Sequence, residues 1–253
     1  MVSEITSVQN PYIKEIRRIR EKPADLFLAE GRKMTAEAVA CGAAETILWT
    51  PEGRERSGLE PDAGIRAILV APKVLGAVGS AKTPQGIACV CRKDHPYPQP
   101  KHPFLSVALN GVQDPGNVGT ILRTLDAAGG GTVYLDRECA DPYGPKALSA
   151  SMGSIFRVRV SVTDDLPGTL NGLKADGVIT LAGDLSGEDF FGHPPLGGRV
   201  CLVIGNEGHG ISSAVRECVS VRYRLPIPGG AESLNAAVSA GIFLYDLLRD
   251  ILH

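Results

Sequence analysis

From Phe104 to the C-terminus, short apolar runs alternate with amphipathic stretches. The runs fall near residues 104–110, 132–135, 156–161, 177–182, 200–204 and 221–225. The stretches near 117–128, 144–151, 165–174, 212–218 and 233–250 space their apolar residues as helices do. "VCLVI" (200–204) has no polar position, as a strand covered on both faces requires. Strands alternating with helices predict a parallel sheet with helices on both faces, an α/β fold. The earlier part of the chain reads as helix 9–21, strand 26–29, helix 31–41, strand 46–50, strand 66–71, helix 72–78 and strand 86–92. That is a second, smaller α/β domain. In "EGRKMTAEAVACG", Met34, Ala38 and Cys41 share one helical face, and Gly42 stands where a C-terminal cap belongs. Between the two regimes lies "RKDHPYPQPKHPF" (92–104), whose prolines 96, 98, 100 and 103 exclude helix and interior strand. The expected organisation is a domain over 1–94, a proline-rich linker over 95–104 and a larger domain over 105–253.

Composition changes this picture little. Of 253 residues, 43% are hydrophobic and 21% charged, which suits a globular protein and not a disordered one. No apolar run approaches the roughly 18 residues of a membrane span. The opening "MVSEITSVQNPYIKEIRRIREK" lacks the apolar core of a secretory signal, so the expected compartment is the cytoplasm. The cysteines at 41, 89, 91, 139, 201 and 218 show one close pair, Cys89 and Cys91, without the second half of a zinc pattern. They are expected to be reduced and mostly buried. Residues 1–94 hold 14 Lys and Arg against 12 Asp and Glu, while the rest hold 12 against 16. The basic cluster Lys14, Arg17, Arg18, Arg20 and Lys22 reads either as a solvated helix surface or as a phosphate-contacting helix.

The chemistry concentrates at three strand-to-helix elbows: "DPGNVGTILRTLDAAGG" (114–130), "LVIGNEGHGISS" (202–213) and "LPIPGGAESLNAAVSAGIFLYDLLRD" (225–250). Ligand sites in α/β proteins are built at such elbows. The familiar nucleotide loops are absent: there is no G-x-x-x-x-G-K-[ST] and no G-x-G-x-x-G after the first strand of the larger domain. H-E-x-x-H and G-x-S-x-G are absent too, and the His residues at 95, 102, 193, 209 and 253 do not cluster, so no metal site is expected. What remains is a site of backbone amides with Asn, Arg, Glu and Ser side chains.

"NGVQDPGNVGTILRTLDAAG", "LVIGNEGHGIS" and "LPIPGGAESLNAAVSAG" resemble, in order, the three motifs of the SpoU (TrmH-like) branch of the SPOUT methyltransferases, across residues 104–250. "SVQNPYIKEIRRIR", "FLAEGRKMTAEAV" and "KTPQGIACV" resemble the substrate-binding domain, similar to a ribosomal RNA-binding fold, that many members carry. The resemblance implies transfer of a methyl group from S-adenosyl-L-methionine to a ribose 2′-OH in RNA. It also implies a deep trefoil knot in the larger domain and a homodimer formed through it. Carried over by motif, the catalytic set is Asn117, Arg123, Glu207, Ser233 and Asn235. The cofactor contacts fall on Gly205, Glu207, Gly208, Leu225, Ile227 and Leu234. The chain departs from the family pattern in "SLNAAVSAG", where Val-Ser commonly follows the Asn, and at Pro228, in the stretch assigned to the cofactor.

The chemistry accounts for these residue types. A sulfonium leaves as neutral sulfur and needs neither acid nor metal, so alignment and removal of the hydroxyl proton are what remain. Alignment alone contributes about 7–11 kcal/mol when the geometry is near-attack. Asn117 and Asn235 each supply a donor and an acceptor. An arginine surrenders a proton poorly, so Arg123 is expected to grip a phosphate and stabilise the developing alkoxide. Structural roles stand beside these: Asn117 as a helix N-cap, Arg123 as a surface ion-pair residue, Glu207 as a loop stabiliser, and Ser233 as N-cap of the last helix with Asn235 in its first turn. His209 reads as a solvent-facing loop residue. The smaller domain favours ribosomal RNA, of the large subunit, as the substrate; transfer RNA is the alternative. A non-catalytic RNA-binding or ribosome-assembly factor on the same scaffold is the other. A nucleotide-dependent oxidoreductase fails for want of its glycine fingerprint.

Overall fold

The computed structural model describes residues 4–19, 25–81, 83–102 and 104–252. Arg20 and Lys22 of the basic cluster, and Pro103 of the proline-rich stretch, lie outside them. The chain divides into two compact units, Met1–Pro98 with Tyr143–Leu148, and Gln99–Pro142 with Ser149–His253.

In the first unit the order is α1 (Pro11–Ile19), β1 (Leu26–Glu30), α2 (Arg32–Ala40), β2 (Ala44–Trp49), α3 (Pro51–Ser57), β3 (Arg66–Leu69), α4 (Pro72–Val78) and β4 (Ile87–Arg92). The strands form one sheet ordered β1-β4-β2-β3. β4 runs antiparallel to both β1 and β2, and β3 runs parallel to β2. Its core joins Ile13 and Ile16 of α1 to Leu48, Val74, Val78 and Val90. The sequence reading has no helix at α3. Its start is nonetheless written locally: the Thr50 hydroxyl accepts from the Gly53 amide at 3.0 Å, with Pro51 in the first turn.

The second unit follows the expected alternation: β5 (Leu105–Asn110), α5 (Pro115–Ala127), β6 (Thr132–Asp136), β7 (Arg159–Thr163), α7 (Leu166–Ala175), β8 (Val178–Asp189), β9 (Arg199–Gly205), α8 (Ser213–Cys218), β10 (Val221–Arg224) and α9 (Ala236–Leu252). Between β6 and β7 the chain makes helix α6 (Pro145–Ser151) and a short 3-10 turn, Ser154–Phe156. The sheet order is β10-β8-β9-β5-β6-β7, and every pairing is parallel. Two differences from the sequence reading have local causes. β7 begins later than residue 156 because Ser154, Ile155 and Phe156, all buried, turn before the strand. β8 is longer because its register with β10 jumps: Ala182 pairs with Arg222, and the next pairing is Glu188 with Tyr223. Residues 183–187 therefore leave the ladder and project from the C-terminal end of the sheet.

Every residue from Val200 to Val203 is fully buried, which explains why that strand carries no polar side chain. All the elbows leave the same end of this sheet, because parallel strands share a direction. β9 lies between β8 and β5, so the loop after Gly205 is flanked by the elbow after Asn110 on one side and by the 183–187 excursion on the other.

Candidate active site

Asp114 caps the first helix of the site. Its carboxylate accepts from the Asn117 amide at 3.0 Å, and Pro115 stands where no amide donor is needed. Asn117 is therefore not the N-cap, and its side chain is available for other partners. Its Nδ2 donates to Glu207 Oε1 at 2.9 Å, and its Oδ1 accepts from Asn235 Nδ2 at 3.0 Å. One side chain from each of the three elbows thus joins a single chain of hydrogen bonds. Glu207 Oε2 faces the backbone amide of Gln113 at 3.4 Å, which ties the second elbow to the first a second time.

Asn235 also caps α9. Its Oδ1 accepts from the Ala237 and Val238 amides at 2.9 and 3.2 Å. The sequence reading started this helix at Ser233, but α9 begins at Ala236, so Asn235 holds the cap position and Ser233 lies in the exposed loop before it. Arg123 projects from the second half of α5 into solvent. Six residues along a helix turn it well away from the face of Asn117. Its guanidinium makes no hydrogen bond or ion pair among the described residues, so the structure leaves it apart from the linked trio.

A cavity of about 430 Å³ opens between the second and third elbows. Gly205, Glu207, Gly208, Leu225, Ile227 and Leu234 all line it, as does Ser233, while Asn117, Arg123 and Asn235 do not. Its volume suits a small-molecule ligand. At Gly205 a Cβ would lie 2.2 Å from the carbonyl carbon of Gly210 and 2.4 Å from the amide of Ile211, so only glycine lets the loop close. Gly210, with φ +69°, makes the return turn. His209 is exposed at the rim.

Several residues that hold the site escaped the sequence reading. Asn206 organises the second elbow: its Oδ1 accepts from Gly208 and His209 amides at 2.9 and 3.1 Å, and its Nδ2 donates to Gly111 O at 2.8 Å. Asn110, 8% exposed at the end of β5, accepts from Ser212 N at 2.6 Å and donates to Asp136 Oδ2 at 2.7 Å. Asp136 Oδ1 in turn takes the amides of Gly111, Glu138 and Cys139. A polar residue ending an otherwise apolar strand was the available signal for Asn110. Asp184 and Arg216, also in the cavity wall, gave none. Burial works against the charge on Asp184. The Ser186 amide and hydroxyl, with Arg216 and Arg222, outweigh it and hold the carboxyl below its ordinary range.

The family profile of the SpoU rRNA Methylase family matches residues 105–245. The chain belongs to that family. The MRM3-like substrate binding domain matches residues 10–89. The chain is 35% identical to the 23S rRNA (guanosine(2553)-2'-O)-methyltransferase RlmP of Bacillus subtilis (strain 168), over 97% of this chain and 99% of that protein. Among solved structures, the AdoMet-bound rRNA methyltransferase from Sinorhizobium meliloti superposes with a TM-score of 0.84 at 30% identity, covering 99% of each chain. The SpoU methyltransferase AviRb from Streptomyces viridochromogenes, in complex with AdoMet, gives 0.82 at 25% identity, covering 96% of this chain and 99% of that one. SpoU methylases use S-adenosylmethionine, and the cavity fits it: apolar walls from Leu225, Ile227 and Leu234, a backbone cradle at Gly205, and carboxylates at Glu207 and Glu232. Among the described residues no group of His, Cys, Asp and Glu could hold a metal ion.

Proposed function

We propose that this SpoU methylase transfers a methyl group from S-adenosylmethionine to a ribose 2′-OH of ribosomal RNA, in the large subunit. The observation that carries this reading is the Glu207–Asn117–Asn235 chain, which ties all three elbows together beside a ligand-sized cavity. The large-subunit substrate draws support from the likeness to RlmP, whose name gives 23S rRNA, and from the substrate-binding profile on residues 10–89. On this reading residues 1–94 grip the RNA and residues 105–253 carry out the transfer.

The cofactor, when bound, supplies an electrophilic methyl group on a sulfonium. The roles of the chain's residues follow from their contacts. Gly205, Gly208, Leu225, Ile227 and Leu234 hold the nucleoside part through backbone groups and apolar walls. Glu207 locks Asn117 in one rotamer by accepting from its Nδ2. Asn235 does the same from the other side, so neither amide reorganises as the ribose arrives. Ser233, exposed in the loop before the cap, hydrogen-bonds the substrate on this reading. Arg123, exposed and without a partner among the described residues, stands apart from that trio and takes a phosphate beside the target ribose.

A homodimer formed through the larger domain, and the trefoil-knotted threading of its C-terminal segment, belong to the same reading. Support for the dimer comes from α9, where Val238 and Tyr245, two turns apart on one face, are each 51% exposed. No helix among the described residues is long and apolar enough to cross a membrane, which suits a cytoplasmic enzyme.

The test is transfer of labelled methyl into size-fractionated RNA that lacks the modification. Label in large-subunit RNA, recovered after alkaline hydrolysis as an uncleaved dinucleotide, is the expected result. Label in transfer RNA alone would move the substrate to the other class. No label with intact cofactor binding would favour an assembly factor. Arg123→Ala is expected to lower turnover about a hundredfold. Full turnover in Arg123→Lys would exclude a bidentate grip.

A further inference from the structure

The excursion of residues 183–187 from β8 places a buried acid in the wall of the cavity. Asp184 Oδ1 accepts from the amide and the hydroxyl of Ser186, both at 2.9 Å, which folds the excursion into a tight turn. The Asp184 side chain is only 6% exposed. Its Oδ2 has no hydrogen bond, and instead faces Arg216 Nε at 3.3 Å and an Arg222 nitrogen at 3.7 Å. The two arginines differ in what they face. Arg222 donates to the Ser186 hydroxyl at 3.3 Å and lies outside the cavity lining. Arg216 lines the cavity, is 42% exposed, and meets Asp184 through Nε, leaving its terminal nitrogens without a partner among the described residues. One carboxylate against two guanidiniums leaves a surplus of positive charge and unspent donors at this wall.

The order β8-β9-β5 determines which part of a ligand meets those donors. Asn117 follows β5, so the reacting end of the cofactor belongs on that side of Gly205. The 183–187 excursion lies on the opposite side, next to β10 and the Leu225 wall that follows it, which suits an adenosine. The polar groups of an adenosine that need a donor away from the base are its ribose hydroxyls.

We propose that Arg216, braced by Asp184, donates to the ribose hydroxyls of the cofactor. Arg216 is then a specificity residue for the nucleoside, and Asp184 a positioning residue that acts through it. The assignment rests on the cavity being the S-adenosylmethionine site. Bracing matters because an unheld arginine loses rotamer freedom when it binds, whereas Arg216 is already held at Nε.

The experiment is titration calorimetry of the full chain with S-adenosylhomocysteine and with its 2′,3′-dideoxyribose analogue. Wild type is expected to bind the parent nucleoside about tenfold tighter than the dideoxy compound. Arg216→Ala should weaken the parent about tenfold, leave the dideoxy compound within about twofold, and so abolish the discrimination. Asp184→Asn should lose part of the discrimination, about threefold, a change that general loosening of the fold does not produce. Should Arg216→Ala fold poorly by thermal melting, Arg216→Lys serves instead, with partial loss of discrimination expected. Equal weakening of both ligands, or discrimination kept in the Arg216 variant, would overturn the proposal while leaving the cofactor site standing. Binding of neither ligand by wild type would remove the cofactor reading and this inference with it.

Discussion

Asn117 illustrates how one amide can carry a site. It donates to Glu207 and accepts from Asn235, so its two ends are committed to opposite partners. Asn117→Asp keeps the shape but sets a carboxylate against Glu207 at hydrogen-bond distance. It is expected to be more damaging than Asn117→Ala, both in the melting temperature and in turnover, because like charges repel where a truncation merely leaves a gap. Equal effects of the two variants would argue against a committed Asn117–Glu207 bond. The cysteines are a residue-scale matter too. Burial pushes the Cys139 thiol up to about 12, and Cys201 likewise to about 12. Thiols are attacked as thiolates, so native protein at pH 8 should leave both unmodified by iodoacetamide, while denatured protein is alkylated at each. Peptide mapping reads this directly. Cys89, Cys91 and Cys201 are buried, whereas Cys41, Cys139 and Cys218 are half-buried.

Elements are decided at their ends. The start of α9 can be tested by paired substitutions. Asn235→Ala removes the acceptor for two amides and should cost about 1 kcal/mol of stability beyond its effect on turnover. Ser233→Ala should leave stability within about 0.5 kcal/mol. Urea denaturation of the two variants measures the difference, and the reverse order would return the cap to Ser233. The turn after β9 depends on close backbone approach. Gly205→Ala would press a methyl into Gly210 and Ile211, and is expected to destabilise by about 1–3 kcal/mol and abolish binding of S-adenosylhomocysteine. Unchanged calorimetric affinity in that variant would mean that the loop opens without affecting the cavity.

For the whole molecule, the exposed face of α9 bears on assembly. Val238→Glu with Tyr245→Glu puts charges on an apolar stripe that is 51% exposed at both positions. If two copies pair there, the double variant should sediment as a monomer at concentrations where wild type sediments as a dimer. Monomeric wild type would instead call for a different occupant of this face. The expectations for the parallel sheet, its elbows and the cluster of cofactor residues around one cavity all concern a single unit of the chain.

What the sequence determined by itself is what local patterns encode. The apolar run at 200–204 announces a strand covered on both faces, and the Asp-Pro-Gly-Asn cluster announces a helix start, although which of its residues caps the helix, Asp114 rather than Asn117, came from the structure. The resemblance of the three ordered motifs to the SpoU family pointed to Asn117, Glu207 and Asn235, and equally to Arg123 and Ser233, which the linked trio leaves out. Periodicity says nothing of residues whose meaning comes from a partner far along the chain. Asn110 meets Ser212, and Asp184 meets Arg216 and Arg222, only because parallel strands bring distant ends to one edge of a sheet. The register jump between β8 and β10 has the same origin, since it depends on how Tyr223 meets Glu188. The α9 cap was decided by tertiary structure as well. Both Ser233 and Asn235 have capping side chains, and the bond from Asn235 to Asn117 selects between them.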